Sequence, residues 1–207
     1  MDVHISRRQW LSSLRQVSAF GLSTSLAIGL PIASAFAEDD ENKKQALAFT
    51  RKATDDLFNA HKLGTVKAFL PAIEKHADIA SIADFSLGQY LEKMPDSMKP
   101  SYYRGVALFI ARYFADQTRS YRVAKWVVGD ARQVAKDSYF VATTVTLLSG
   151  ASYSIGWSVK KGKSGYKFTD VKVIFFSLTS AQRSLFVNYL NKHKGDLNLL
   201  VTVLNRK

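Results

Sequence analysis

The chain has 207 residues, 47% hydrophobic and 22% charged, a balance that suits one globular domain plus a short leader and excludes disorder as the main state. It contains no cysteine, which closes disulfides, thiolate metal sites, thiol nucleophiles and lipid anchoring through an N-terminal cysteine. The formal charge of +12 falls to +10 without residues 1–37, which carry Arg7, Arg8, Arg15 and Asp2, and such an excess favours anionic partners.

Ser6-Arg7-Arg8-Gln9-Trp10-Leu11 places paired arginines before two bulky apolar residues. A moderately apolar run follows from Val17 to Phe36, softened by Ser18, Gly21, Ser23, Thr24 and Ser25. Ala35-Phe36-Ala37 then offers small residues at both positions a signal peptidase reads, and Glu38-Asp39-Asp40-Glu41 begins a solvated segment. This three-part pattern predicts that residues 1–37 form a cleaved export signal and 38–207 a single domain. The arginine pair resembles a twin-arginine signal, with Trp10 where phenylalanine is usual; a general secretory signal with two chance arginines is the alternative. The serines, the glycines and Pro31 make the run a poor membrane span. Export to the periplasm argues against a nucleic-acid partner, which leaves lipid headgroups and acidic protein surfaces.

The segment from Asn42 to His61 predicts a helix, with Leu47, Phe49, Ala53, Leu57 and Ala60 at three- and four-residue spacings. Gly64 breaks it, and a second helix is expected from Thr65 to about Lys75. Asp78 is a candidate N-cap for a third, which carries Ile79, Ile82, Ala83, Leu87 and Tyr90. Pro95 and Pro100 punctuate a loop before another long helix, Ser101 to about Thr118.

After Tyr121 the pattern changes to strands. Segments 123–128, 139–148, 153–160 and 166–176 are rich in β-branched and aromatic residues. Tyr139, Val141, Thr143, Val145 and Leu147 alternate with smaller or more polar neighbours, and Tyr153, Ile155, Trp157 and Val159 do so more cleanly. That is the signature of half-buried antiparallel strands. Lys161-Gly162-Lys163-Ser164-Gly165 lacks phosphate-loop spacing and reads as a hairpin turn. Thr179 or Ser180 caps a helix holding Leu185, Phe186, Tyr189 and Leu190, and a short closing helix follows Gly195. Helices, a four-stranded antiparallel sheet and further helices make an α+β domain.

In this frame, three stretches resemble the MlaC-type phospholipid-binding family, also called the toluene-tolerance family. They are Asp78-Ile79-Ala80-Ser81-Ile82-Ala83-Asp84-Phe85-Ser86-Leu87-Gly88, the aromatic helix through Phe109, Tyr113 and Phe114 to Tyr121, and Asp170-Val171-Lys172-Val173. The last is followed by Ser177, Gln182-Arg183, Phe186, Gly195, Leu197 and Leu204. One departure stands out: Ile174-Phe175-Phe176 occupies the place of the family's usual Glu-Gly-Val. The resemblance implies a periplasmic, monomeric carrier that shuttles a phospholipid between an outer-membrane lipoprotein complex and an inner-membrane ABC transporter complex. A hopanoid or other apolar lipid, and a ligand-free envelope adaptor, are the alternatives.

A lipid carrier needs an apolar cavity between sheet and helices rather than reactive groups. From the helices the expected lipid-binding residues are Phe85, Leu87, Tyr90, Tyr102, Val106, Phe109 and Tyr113, with Phe186 and Tyr189 near the C-terminus. From the strands they are Trp126, Val145, Tyr153, Ile155, Trp157, Phe168, Val173 and Phe175. Periodicity alone does not separate such a lining from a filled core. Arg104, Arg112 and Arg183 are candidate donors to a headgroup phosphate, with surface or paired arginines as the plainer reading. No cofactor or metal is expected, and no enzymatic activity: His61, His76 and His193 have no metal-ligand spacing and there is no G-x-S-x-G turn. His76 with Asp78 or Asp84 is the one local acid–base pairing to consider. The export expectation is checked by Arg7→Lys with Arg8→Lys: loss of secretion fits the twin-arginine route, and secretion at normal yield fits the general one.

Overall fold

The structure, a computed structural model, describes residues 32–206, with side chains from Asp39 onward. The export segment expected over residues 1–37 therefore lies almost wholly outside the described residues. Helix α1 (Ile32–Leu63) leads into α2 (Val66–His76) and α3 (Ile79–Leu87). Two 3₁₀ turns, Gly88–Lys93 and Asp96–Met98, precede α4 (Lys99–Ser120). The strands β1 (Val123–Ala135), β2 (Ser138–Leu147), β3 (Ser152–Gly162), β4 (Gly165–Val173) and β5 (Phe176–Ser177) follow, then α5 (Leu178–Lys192) and α6 (Leu197–Asn205). All strand pairs are antiparallel, in the order β1-β2-β3-β4-β5.

Local chemistry explains the boundaries. Thr65 Oγ1 accepts from Ala68 N at 3.3 Å, and Asp78 Oδ1 from Ser81 N at 3.1 Å, so α2 and α3 each begin on a side-chain cap. Pro100 lies in the first turn of α4, where its missing N–H costs nothing, so the helix starts before the loop expected there ends. Helix α5 is capped by Ser177, whose Oγ accepts from Ser180 N at 3.0 Å, rather than by Thr179 or Ser180. The residue Thr179 instead gives its N–H to Asp170 Oδ1 at 3.1 Å, so its backbone already belongs to the helix start.

The sheet has five strands where four were expected. The strand read as 166–176 reverses at Ile174–Phe175, and Phe176–Ser177 pairs back onto Val173 and Lys172. Ile174 takes a positive φ of 59°, a conformation that a β-branched residue rarely adopts and no propensity signals. Strand β1 also runs seven residues beyond Val128, because Gly129-Asp130 is a bulge between two paired segments rather than a turn. The alternation in β2 holds: Tyr139, Val141, Thr143 and Val145 are all buried on one face.

Apolar residues separate into three packed clusters. One joins α3, α4, α5 and α6 through Leu87, Tyr102, Val106, Phe186, Leu190 and Leu204. A second sets α1 on the sheet, with Ala46 and Ala53 against Tyr139, Val141, Trp157 and Phe168. The third joins α1, α2 and α4 through Ala60, Phe69, Ile73 and Ala111. On α1 the buried stripe is Ala46, Thr50, Ala53 and Ala60, small residues that let the helix lie close to its neighbours. The hydroxyl of Thr50 donates to Ala46 O at 2.8 Å, so its burial leaves no unsatisfied group. Among the described residues no helix is long and apolar enough to cross a membrane.

Helices α4 and α6 approach at Gly105, where an added Cβ would stand 2.7 Å from Leu204 Cβ and 2.9 Å from Asn205 Nδ2. A Cβ next to the backbone of α6 cannot swing aside. Gly105→Ala is therefore expected to lower stability by about 1–3 kcal/mol, although alanine is the better helix former. The urea midpoint, followed by circular dichroism, checks this.

Candidate functional site

Between the inward face of the sheet and the helices lies a cavity of about 310 Å³, a volume at the lower end of the range of small-molecule sites. Helix α1 contributes Thr54, Leu57, Phe58 and His61, α2 contributes Phe69, and the last turns of α4 contribute Tyr113, Phe114 and Gln117. Across from them stand Val123 and Trp126 of β1, Thr143 and Val145 of β2, and Tyr153, Ile155 and Trp157 of β3. Tyr121, Val173, Ile174 and Leu178 complete the wall. Tyr113, Tyr121 and Ile174 are also exposed to solvent, which places the mouth beside them. A smaller hollow of about 60 Å³ shares Leu57, Phe114, Trp157 and Leu178 with the first, and reaches Phe168 and Gln182.

The wall presents mostly carbon, and several of its polar atoms are engaged with one another or with backbone. Trp157 Nε1 donates to Thr143 Oγ1 at 3.0 Å, and Thr54 Oγ1 donates to Thr50 O at 2.8 Å. His61 Nε2 accepts from Val123 N at 3.3 Å. Burial holds the His61 imidazole below its ordinary pKa, which favours the neutral ring that this hydrogen bond requires. Aromatic contacts hold the same residues in place: Phe58 of α1 meets Trp126 of β1 at 3.4 Å between centroids where the two walls touch, and Trp157 lies against Phe168 at 4.6 Å.

Of the residues expected from the sequence, Tyr113, Trp126, Val145, Tyr153, Ile155, Trp157 and Val173 come together around the cavity. Phe168 lines the smaller hollow. The others lie elsewhere. Leu87, Tyr90, Tyr102, Val106 and Phe186 are packed inside the helical cluster, with Phe109 and Tyr189 against it. Helix α4 divides its duties: its first half fills that cluster, and only its last turns reach the cavity. Phe85 is exposed, with the Arg183 guanidinium 4.8 Å above its ring, and Phe175 is almost fully exposed at the β4–β5 reversal. The arginines lie outside both hollows. Arg112 donates to Leu204 O at 2.9 Å and to Arg206 O, Arg183 donates to Phe85 O at 3.1 Å, and Arg104 is exposed. Sequence reasoning missed the contribution of α1, where Thr54, Leu57 and His61 recur on one helical face but read as ordinary packing.

His76 does not pair with Asp78 or Asp84. Asp78 caps α3, Asp84 accepts from the Tyr103 hydroxyl at 2.9 Å, and the buried His76 ring has its Nε2 2.7 Å from Asp56 Oδ2. Lys75 Nζ reaches the same oxygen at 2.7 Å. The cluster clamps α1 to α2, two walls of the cavity. Hydrogen bonds from Lys75 and then His76 hold the Asp56 carboxyl below its ordinary pKa. A depressed carboxylate stabilises the fold above its unfolded-state pKa, and that contribution is lost as pH falls through the folded-state value. Asp56→Asn is therefore expected to lower the urea midpoint at neutral pH, with the gap to the unsubstituted protein narrowing towards about pH 3. Midpoints measured across that range check the sign.

A protein of the same fold is the phospholipid-binding protein from Ralstonia solanacearum, whose structure was solved in complex with a phospholipid. It shares 20% sequence identity and a TM-score of 0.65 with this chain, over 78% of this chain and 95% of that one. No curated protein matches the sequence. The family model described as MlaC protein matches residues 42–206, which span α1 to the end of α6. The chain belongs to the MlaC family.

Proposed function

We propose that the protein is a lipid carrier of the cell envelope that holds the acyl part of a phospholipid in the cavity between sheet and helices. The observation that carries this reading is the apolar lining itself: Leu57, Phe58, Trp126, Val145, Ile155 and Trp157 enclose a hollow in which the Trp157 indole and the His61 ring already have hydrogen-bond partners. Each methylene moved from water into such a wall gains about 0.8 kcal/mol, so a sixteen-carbon chain gains on the order of 10 kcal/mol. A bilayer offers the same shelter. The carrier must nearly match it to extract a lipid and fall short enough to release it, which an open-mouthed cavity permits.

Family membership and the phospholipid named for the Ralstonia protein support a glycerophospholipid as cargo. The finer reading is a monomeric periplasmic shuttle between an outer-membrane lipoprotein complex and an inner-membrane ABC transporter complex. Cleavage of the 1–37 leader would supply that location, and would leave the part of α1 from Glu38 to Leu63 to cover the sheet. The enclosed hydrocarbon needs no reactive group: His61 in the wall accepts from the Val123 N–H, and His76 serves the clamp.

Ile155 is half-buried and faces the cavity from the middle of β3. Ile155→Trp is expected to fill the space and to cut co-purifying phospholipid several-fold, with the unfolding midpoint largely kept. Lipid extraction and mass spectrometry of protein purified without detergent provide the measurement. Lipid-free protein, or unchanged loading in the folded variant, would sink the reading.

A further inference from the structure

The cavity mouth opens at one end of the sheet, and three chain segments meet there. Register sets them together: Val123 pairs with Leu147, Tyr153 with Val145 and Ile155 with Val173. Backbone hydrogen bonds tie their ends, with Leu148 N donating to Arg122 O at 2.8 Å and Ile174 N to Ser154 O at 3.1 Å. This end exposes large apolar side chains that a soluble surface ordinarily covers: Phe175 at 92%, Phe176 at 76%, Leu148 at 62% and Ile174 at 60%. Tyr121 and Ile174 belong both to this patch and to the cavity lining.

The charges around the patch have one sign. Arg119, Arg122 and Lys172 are exposed in the same three segments, and residues 119–123, 147–154 and 172–177 contain no aspartate or glutamate. Asp116 lies one turn back on α4, and Asp170 is occupied by the N–H groups of Val171 and Thr179. The reversal that projects Phe175 keeps Ile174 at a φ of 59°, a conformation with a standing energetic cost for a β-branched side chain. Glycine would turn there freely; isoleucine instead adds hydrocarbon to both the tip and the cavity wall.

We infer that this end of the domain docks on a lipid bilayer bearing anionic headgroups. Ile174, Phe175, Phe176 and Leu148 enter the headgroup–acyl boundary while Arg119, Arg122 and Lys172 meet lipid phosphates. A projecting apolar tip with a cationic surround suits a soft planar interface, since the three segments that form it carry no carboxylate to pair with a protein partner's cations. The mouth of the cavity lies inside the docked area, so an acyl chain would pass between bilayer and cavity without crossing water. The inference rests on the carrier reading for its purpose and on the tip for its mechanism.

The test is flotation of the purified protein with vesicles of phosphatidylglycerol and phosphatidylcholine in equal amounts, and of phosphatidylcholine alone. Preferential binding to the anionic vesicles, weakened by salt, is expected. Phe175→Ser with Phe176→Ser is expected to reduce vesicle affinity at least about tenfold. Both side chains are exposed, so the fold and the lipid already held in the cavity should be unchanged. In a separate Phe175→Trp variant, tryptophan emission should shift to the blue when anionic vesicles are added. Absence of vesicle binding, or equal binding by the double serine variant, overturns the docking inference even if the protein carries lipid. Vesicle binding that depends on the tip, in a protein that never retains lipid, supports docking and overturns the carrier reading instead.

Discussion

Facing walls of apolar side chains collapse on one another in water unless the side chains of each wall are held in place. Everything proposed for this protein depends on that bracing. Trp157 is held by Thr143 and stacked on Phe168, Trp126 is held by Phe58, and α1 is clamped to α2 through Asp56 and His76. Two of the packed clusters supply part of the wall, Trp157 from one and Phe69 from another.

A hollow of this kind is energetically exposed. At about 24 cal/mol per Å³, a dry and empty cavity of 310 Å³ would forgo on the order of 7 kcal/mol of packing, comparable with the whole stability of a typical domain. A hydrocarbon occupant restores those contacts. The same arithmetic favours the internal hydrogen bonds of Trp157, Thr54 and His61: an unpaired donor would favour water over an acyl chain. His61 shows the arrangement most clearly, since burial and the Val123 hydrogen bond both favour its uncharged form.

The long β1 and the short β5 have complementary consequences. The bulge at Gly129-Asp130 lets β1 continue to Ala135, so the sheet extends far enough for α1 to pack against its distal half. At the other end, the reversal at Ile174 turns the chain into α5 and leaves three large apolar residues outside. One end of the sheet is thus covered and the other is open, with the cavity mouth at the open end.

Much of this was legible in local pattern. The alternation of Tyr139, Val141, Thr143 and Val145 marked one face of β2 for burial, because successive strand residues must point to opposite sides. Asp78 marked the start of α3, because a carboxylate there satisfies an orphan N–H. The α+β class followed from helices, strands and helices in turn, and the family from Asp78 to Gly88 and Asp170 to Leu204. Two places misled. The first strand was expected to stop at Val128 and continues through a bulge, while Ile174-Phe175 was read within a strand and is a reversal, since neither outcome is set by local propensity. The division of the aromatics was decided by tertiary structure alone. Periodicity told that Tyr102 and Tyr113 face inward from α4, but Tyr102 meets Phe186 and Tyr113 meets open space. An apolar side chain carries the same transfer free energy into a packed core as into a cavity wall, so only the position of the opposing element distinguishes them.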